Sequence, residues 1–124
     1  IKWVQEKKAK AVFMGVAEGW RVAAQLAEAK IPVIAGPILE LPTRASDRYD
    51  RAYANPGIMA KAGVKVAIRS LESENVRNLP YHAGFAAAYG MGKEEALKAV
   101  TIIPAEIMGV ANRMGSLEKG KDAT

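Results

Sequence analysis

The sequence predicts an α/β protein built on a parallel sheet, and three observations carry that reading. Short apolar runs at residues 11–14, 31–36 and 64–68 are too short for helices and fit buried strands. Stretches with helical spacing and helix-terminus residues separate them, and strands alternating with helices imply crossover units. The composition is that of one ordinary globular domain: 124 residues, 50% hydrophobic and 25% charged. A chain of this size can bury roughly two-thirds of its unfolded surface.

The elements follow in order. Residues 1–10 read as the tail of a helix, with Ile1, Val4 and Lys8 on one face and lysines near its C-terminal end, where they complement the helix dipole. Ala11-Val12-Phe13-Met14 is the first strand, stopped by Gly15. Residues 18–30 form a helix with Val22, Leu26 and Ala29 at helical spacing, Glu18 early and Lys30 late. Residues 31–36 are the second strand, with Pro32 at its start, where a missing donor is tolerated. Residues 37–53 form a loop of about 17 residues, long enough to carry function. Asn55 as N-cap and Pro56 in the first turn open a helix that Gly63 closes. Residues 64–68 are the third strand, and 70–77 a polar loop. A helix with Pro80 in its first turn runs from Asn78 to Tyr89 and ends at Gly90. Another covers 93–101, opened by Glu94 and Glu95, and a short helical turn covers 104–108. Residues 115–124 are polar and carry lysines. A three-stranded parallel sheet leaves two hydrophobic edges, so the remainder of a larger sheet or self-association must cover them. The opening at Ile1 raises the same expectation of a preceding segment.

Composition excludes several functions. With no cysteine there is no disulfide framework, thiolate metal site or cysteine nucleophile. With His82 as the single histidine, a zinc site of several histidines cannot come from this chain. The net charge is +5, but the basic residues are dispersed apart from clusters at Lys7, Lys8, Lys10 and at Lys119, Lys121, and aromatics do not interleave with them. The sequence therefore predicts no nucleic-acid partner. No apolar run approaches the ~20 residues of a membrane span, so no membrane partner is expected either. Nothing in the sequence assigns a compartment.

Two stretches carry a family resemblance. One is Asn78-Leu79-Pro80-Tyr81-His82-Ala83-Gly84, followed by Gly90-Met91-Gly92-Lys93-Glu94-Glu95-Ala96-Leu97-Lys98-Ala99-Val100-Thr101-Ile102-Ile103-Pro104-Ala105. The other is Met108-Gly109-Val110, then Arg113-Met114-Gly115-Ser116-Leu117-Glu118-Lys119-Gly120-Lys121-Asp122-Ala123. Together they resemble the C-terminal part of the metal-dependent amidohydrolase superfamily, in its imidazolonepropionase-like branch. The resemblance implies that the chain holds the last three β/α units of a TIM-type (β/α)8 barrel. Residues 1–110 would be the partial barrel, and 111–124 the start of a return segment to a composite β-sandwich. A whole barrel takes about 200 residues or more.

The resemblance also implies chemistry. One or two divalent metals, zinc the first expectation, activate a water that attacks an amide-like carbon. Non-peptide or cyclic carbon–nitrogen bonds of small molecules would be the substrates. Two of the family's ligand positions should fall within this chain: a histidine after the first strand here and an aspartate after the third. Gly15 and Leu71 stand there, and neither can bind a metal. No metal ligand is identified in this chain.

The substrate-binding candidates are Arg77, His82, Glu72 and Asn78. His82 lies in the first turn of a helix that follows a barrel strand, on the face where such barrels work. It contacts substrate or moves a proton, or else a backbone carbonyl satisfies it. Arg77, in a polar loop beside a helix start, can hold a carboxylate or phosphate, or pair with Glu72 or Glu74. Asp47 and Asp50 read as a solvated turn, Trp3 and Trp20 as packing residues. Gly15-Val16-Ala17-Glu18-Gly19 lacks the spacing of a phosphate loop. Three readings stay open. The first is a piece of a metal-dependent hydrolase. The second is a non-catalytic binding or scaffold protein on that fold, favoured by Gly15 and Leu71. The third is a self-associating α/β module with an anion at Arg77.

Overall fold

All three apolar runs form strands in the computed structural model, which describes residues 1–71, 73–74 and 76–122. β1 is Phe13–Gly15, β2 Val33–Ala35 and β3 Val66–Ile68. They pair in parallel in the order β1-β2-β3. The register sets Phe13 beside Val33 and Val66, and Gly15 beside Ala35 and Ile68. The paired segments are shorter than the apolar runs: three residues of the second and third runs align with a neighbour, and in the first run Phe13 and Met14 do so together with Gly15, which joins the strand where it was expected to stop it. Side chains alternate across the sheet. Val33, Ala35, Val66 and Ile68 join the helix-packed core, with Phe13 partly buried against it. Met14, Ile34 and Ala67 make the opposite row, in which Met14 is 59% exposed.

Six helices follow or precede the strands: α1 Lys2–Glu6, α2 Ala23–Glu28, α3 Arg51–Lys61, α4 Leu79–Ala86, α5 Lys93–Ala99 and α6 Ile102–Ile107. Leu26 of α2, Met59 of α3, Ala86 of α4 and Ala99 of α5 are fully buried, so each of these helices sends an apolar face into one core. Tyr53 packs its ring 5.3 Å from Phe85 and 5.0 Å from Tyr89, joining α3 to α4 and the turn beyond it. Gly57 permits the closest approach. A β-carbon there would lie 2.7 Å from the Met91 nitrogen, so a side chain would push α3 away from that turn.

Several expectations are corrected. α1 ends at Glu6, with Lys7 as its C-cap and Lys8 and Lys10 beyond it; Trp3 is exposed and packs little. The stretch from Glu18 opens as a 3₁₀ turn over Gly19–Arg21 and becomes α-helical only at Ala23. The third helix starts at Arg51 rather than Asn55, and Pro56 lies inside it. An interior proline costs a helix about 3 kcal/mol. Here tertiary burial of Asn55, Pro56, Gly57 and Met59 outweighs that local preference. The 37–53 loop is shorter by the residues the helix takes. Gly63 does follow the end of α3, with φ of +94°, whereas α4 stops at Ala86, short of the expected Tyr89, and Gly90 at φ +112° lies inside the wider-wound segment over residues 87–91 that follows.

After α6 the described residues to Asp122 form turns. The Asp122 N–H donates to the Arg113 carbonyl at 2.7 Å, and Gly115 sits against Ala105 and Ile102. No helix of the described chain is long and apolar enough to cross a membrane.

Among the described residues β1 and β3 each pair on one side only, and Val12 and Met14 stand exposed at the β1 end of the sheet. Open hydrophobic edges template further pairing. The 124-residue chain alone is expected to self-associate. Light scattering during gel filtration checks this, and a monomer with a sharp, cooperative melt would contradict it.

Candidate functional site

Parallel pairing brings the C-terminal ends of all three strands to one rim. The residues that follow them, Val16, Gly36 and Arg69, are therefore neighbours. The Arg69 N–H continues the sheet by donating to the Ala35 carbonyl at 2.9 Å. Gly36 takes φ +121°, and a β-carbon there would collide with the Arg69 carbonyl, so only glycine allows the two backbones to close up. The Gly36–Pro37 bond is cis.

A cavity of about 420 Å³ opens at this rim. Gly15, Val16, Gly36, Pro37, Arg69 and Leu71 supply its strand-end wall, and Trp20, Leu41, Pro42, Asp47 and Arg51 enclose it from the side. Glu40 adds an exposed carboxylate. The Arg69 Nε–H donates to the Gly36 carbonyl at 3.4 Å. Its Nη2 lies 3.9 Å from where a β-carbon on Gly15 would stand, so the guanidinium covers the end of β1. A second cavity, of about 410 Å³, lies at the opposite end of the strands, where Lys65 and Glu106 pair at 2.8 Å. In barrels of this kind that end serves stability and the C-terminal end serves function.

Asn55 braces two lining residues, Val16 and Trp20, without lining the cavity itself. Its Oδ1 accepts the Trp20 N–H at 2.8 Å, and its Nδ2 donates to the Val16 carbonyl at 2.9 Å. Val16 is held at φ +49° and Leu71 at +62°, a region costly for side chains of either shape. Both line the cavity, which is where such strain tends to collect. The asparagine's two bonds hold the Val16 turn in place. They also explain the 3₁₀ start after Glu18, because the Trp20 N–H is taken from across the fold.

Three arginines beside the cavity wall are paired. Arg21 meets Glu18 and Asp47, each at 2.9 Å, Arg44 meets Glu18 at 2.9 Å, and Arg48 meets Asp50 at 2.8 Å. These exposed pairs tie the loop after β2 to the turn after β1, each worth little singly. They also account for Asp47 and Asp50 as partners of arginine. Trp20 is gripped between Arg21 and Arg51, whose guanidinium carbons lie 4.1 and 4.7 Å from its ring. It is therefore a wall of the site as well as a packing residue.

The sequence-derived candidates lie elsewhere. His82 is buried, and its Nδ1 accepts the Ile38 N–H at 2.9 Å. The ring thus fixes the loop after β2 to α4; the partner is a backbone donor, where sequence anticipated a carbonyl. Arg77 is exposed and Asn78 half-buried on the 3₁₀ turn before α4, and neither lines the cavity. Glu72 lies outside the described residues. Sequence reasoning passed over Arg69, Arg51 and Asn55. The signal for Arg69 was its place directly after an apolar strand; Asn55 was read as a cap, and Arg51 fell in the supposed loop.

A divalent metal does not fit this rim. Gly15 and Leu71 carry no side-chain donor atom, and the Arg69 guanidinium comes to 3.9 Å from where a β-carbon on Gly15 would stand. Among the described residues no three His, Asp or Glu side chains come together.

Parallel β/α units with a cavity at the strands' C-terminal ends define part of a TIM-type barrel. The amidohydrolase family model matches residues 9–124, and the chain belongs to that family, whose members generally use divalent metals. An amidohydrolase from Thermotoga maritima MSB8 has a similar structure, with a TM-score of 0.83 and 30% identity over 98% of this chain. The match covers 32% of that chain, so the present sequence spans about a third of its length. No curated protein sequence matches.

Two substitutions test the scaffold. Asn55→Ala strands a part-buried N–H and a carbonyl, and is expected to destabilise the protein by about 1–3 kcal/mol, read from urea unfolding. His82→Ala leaves the buried Ile38 N–H without its acceptor and is expected to cost a similar ~1–3 kcal/mol. Unchanged midpoints would refute these assignments.

Proposed function

We propose that this chain forms a ligand-binding face of an amidohydrolase-family protein, and that this face works without holding metal. The bound compound is a small molecule that offers oxygen acceptors to a cation. The observation that carries the reading is Arg69: a permanent cation lies across the end of β1, where the family resemblance calls for a metal-binding histidine. A guanidinium donates hydrogen bonds in a fixed fork and suits carbonyl or carboxylate oxygens. The cavity is of a size that takes a small molecule. The rim is in the position where barrel proteins bind ligands.

Family membership favours a second reading. The whole protein is then a hydrolase of non-peptide or cyclic carbon–nitrogen bonds with zinc or another divalent ion held by residues outside this chain. On that reading Arg69 orients the substrate carbonyl while the metal, when bound, activates the water. The imidazolonepropionase-like branch and the return of residues 111–124 to a β-sandwich belong to this same reading.

Elemental analysis of the protein expressed from its full reading frame separates the two. The first reading expects less than stoichiometric metal after purification in zinc-supplemented medium, and no gain of metal in Arg69→Gln. One tightly held ion per protein, with amide hydrolysis lost on chelation and restored by zinc, would establish the second.

A further inference from the structure

The geometry points to a small organic oxyanion, a carboxylate or a phosphomonoester, as the ligand of this cavity, with Arg51 and Arg69 as the residues that select it. The inference rests on the proposed ligand-binding role of the strand-end face and adds the ligand's chemical class. Five arginines surround this end of the fold. Arg21, Arg44 and Arg48 are each satisfied by a carboxylate at 2.8–2.9 Å. Arg51 and Arg69 line the cavity, and among the described residues neither has an acidic partner. Both are half-buried, so part of each guanidinium's hydration is already lost. An anion placed there recovers it through charge-assisted hydrogen bonds.

Each cation is also held in place. Arg69 is tied to the Gly36 carbonyl, and Arg51 stacks on Trp20. A preorganised guanidinium loses less freedom when it binds than a mobile one. Of the two carboxylates on the wall, Asp47 is neutralised by Arg21. Glu40 is exposed and stays available to accept an N–H from the uncharged part of the ligand. Trp20, Pro37, Leu41 and Pro42 offer the apolar surface for that part.

Titration calorimetry of the protein expressed from its full reading frame tests this at constant ionic strength. Succinate and phenyl phosphate are the anionic probes, and succinamide is the uncharged control. Saturable binding of either anion with none for succinamide is expected, and the tighter of the two names the source of the oxyanion. Arg69→Gln and Arg51→Gln should each weaken it about tenfold or more. Arg69→Lys, which keeps the charge, should lose less, and Arg48→Gln, which removes an outlying charge, should leave it within twofold. A melting curve for each variant excludes unfolding as the cause. Equal binding of succinamide, no saturable binding of either anion, or binding indifferent to both glutamine variants would overturn the inference. The metal analysis keeps the two ideas apart. A protein without metal that binds neither anion ends the inference alone. A stoichiometric metal with anion binding lost in Arg69→Gln ends the metal-free reading alone.

Discussion

The parallel register of three short strands sets the rest of the structure. With Gly15, Ala35 and Ile68 side by side, the residues just past them have to share one small space. Gly36 solves the crowding by lacking a side chain where the Arg69 carbonyl passes. That close approach lets Arg69 extend the sheet by one more hydrogen bond, and the ladder aims its side chain along the rim toward Gly15. The cavity is the space left above these ends, closed from the side by the loop after β2 and the start of α3.

Charge at this rim has one dominant feature. A guanidinium is a cation, so Arg69 imposes a positive site. Ion pairs among Arg21, Glu18, Arg44 and Asp47 surround the rim and fasten its loops, but they lie exposed and largely cancel. Of the five arginines at this end, the two without an acidic partner among the described residues, Arg51 and Arg69, lie on the cavity wall. Membership in a family fixes the barrel and where ligands approach it, while the chemistry depends on the side chains at that place. Here glycine and leucine stand at two positions where the resemblance calls for metal ligands, and an arginine reaches into the gap.

The helix α3 shows how tertiary contacts set an element's limits. Asn55-Pro56 has the residue types of a helix start, yet the helix begins four residues earlier. Its interior proline is tolerated because the surrounding surface is buried and Gly57 meets Met91 closely. Asn55, free of a capping duty, fastens the strained Val16 turn from across the fold. One asparagine thus links the position of α3 to the shape of the cavity.

Much of this was legible from the chain alone. Apolar runs with no room for a helical turn became the three strands, in order, because burial on a covered sheet demands such runs. Gly63 closed α3 because a positive φ is cheap only for glycine. The family followed from a long series of residues between Asn78 and Ala123. Other features were beyond local reading. Asn55 bonds to residues 35 and 39 positions away, and His82 to one 44 positions away. Arg51 and Arg69 become neighbours of one cavity only when the strands pair and α3 docks. Such contacts depend on how distant segments meet, and the composition and periodicity of any one segment carry no trace of them.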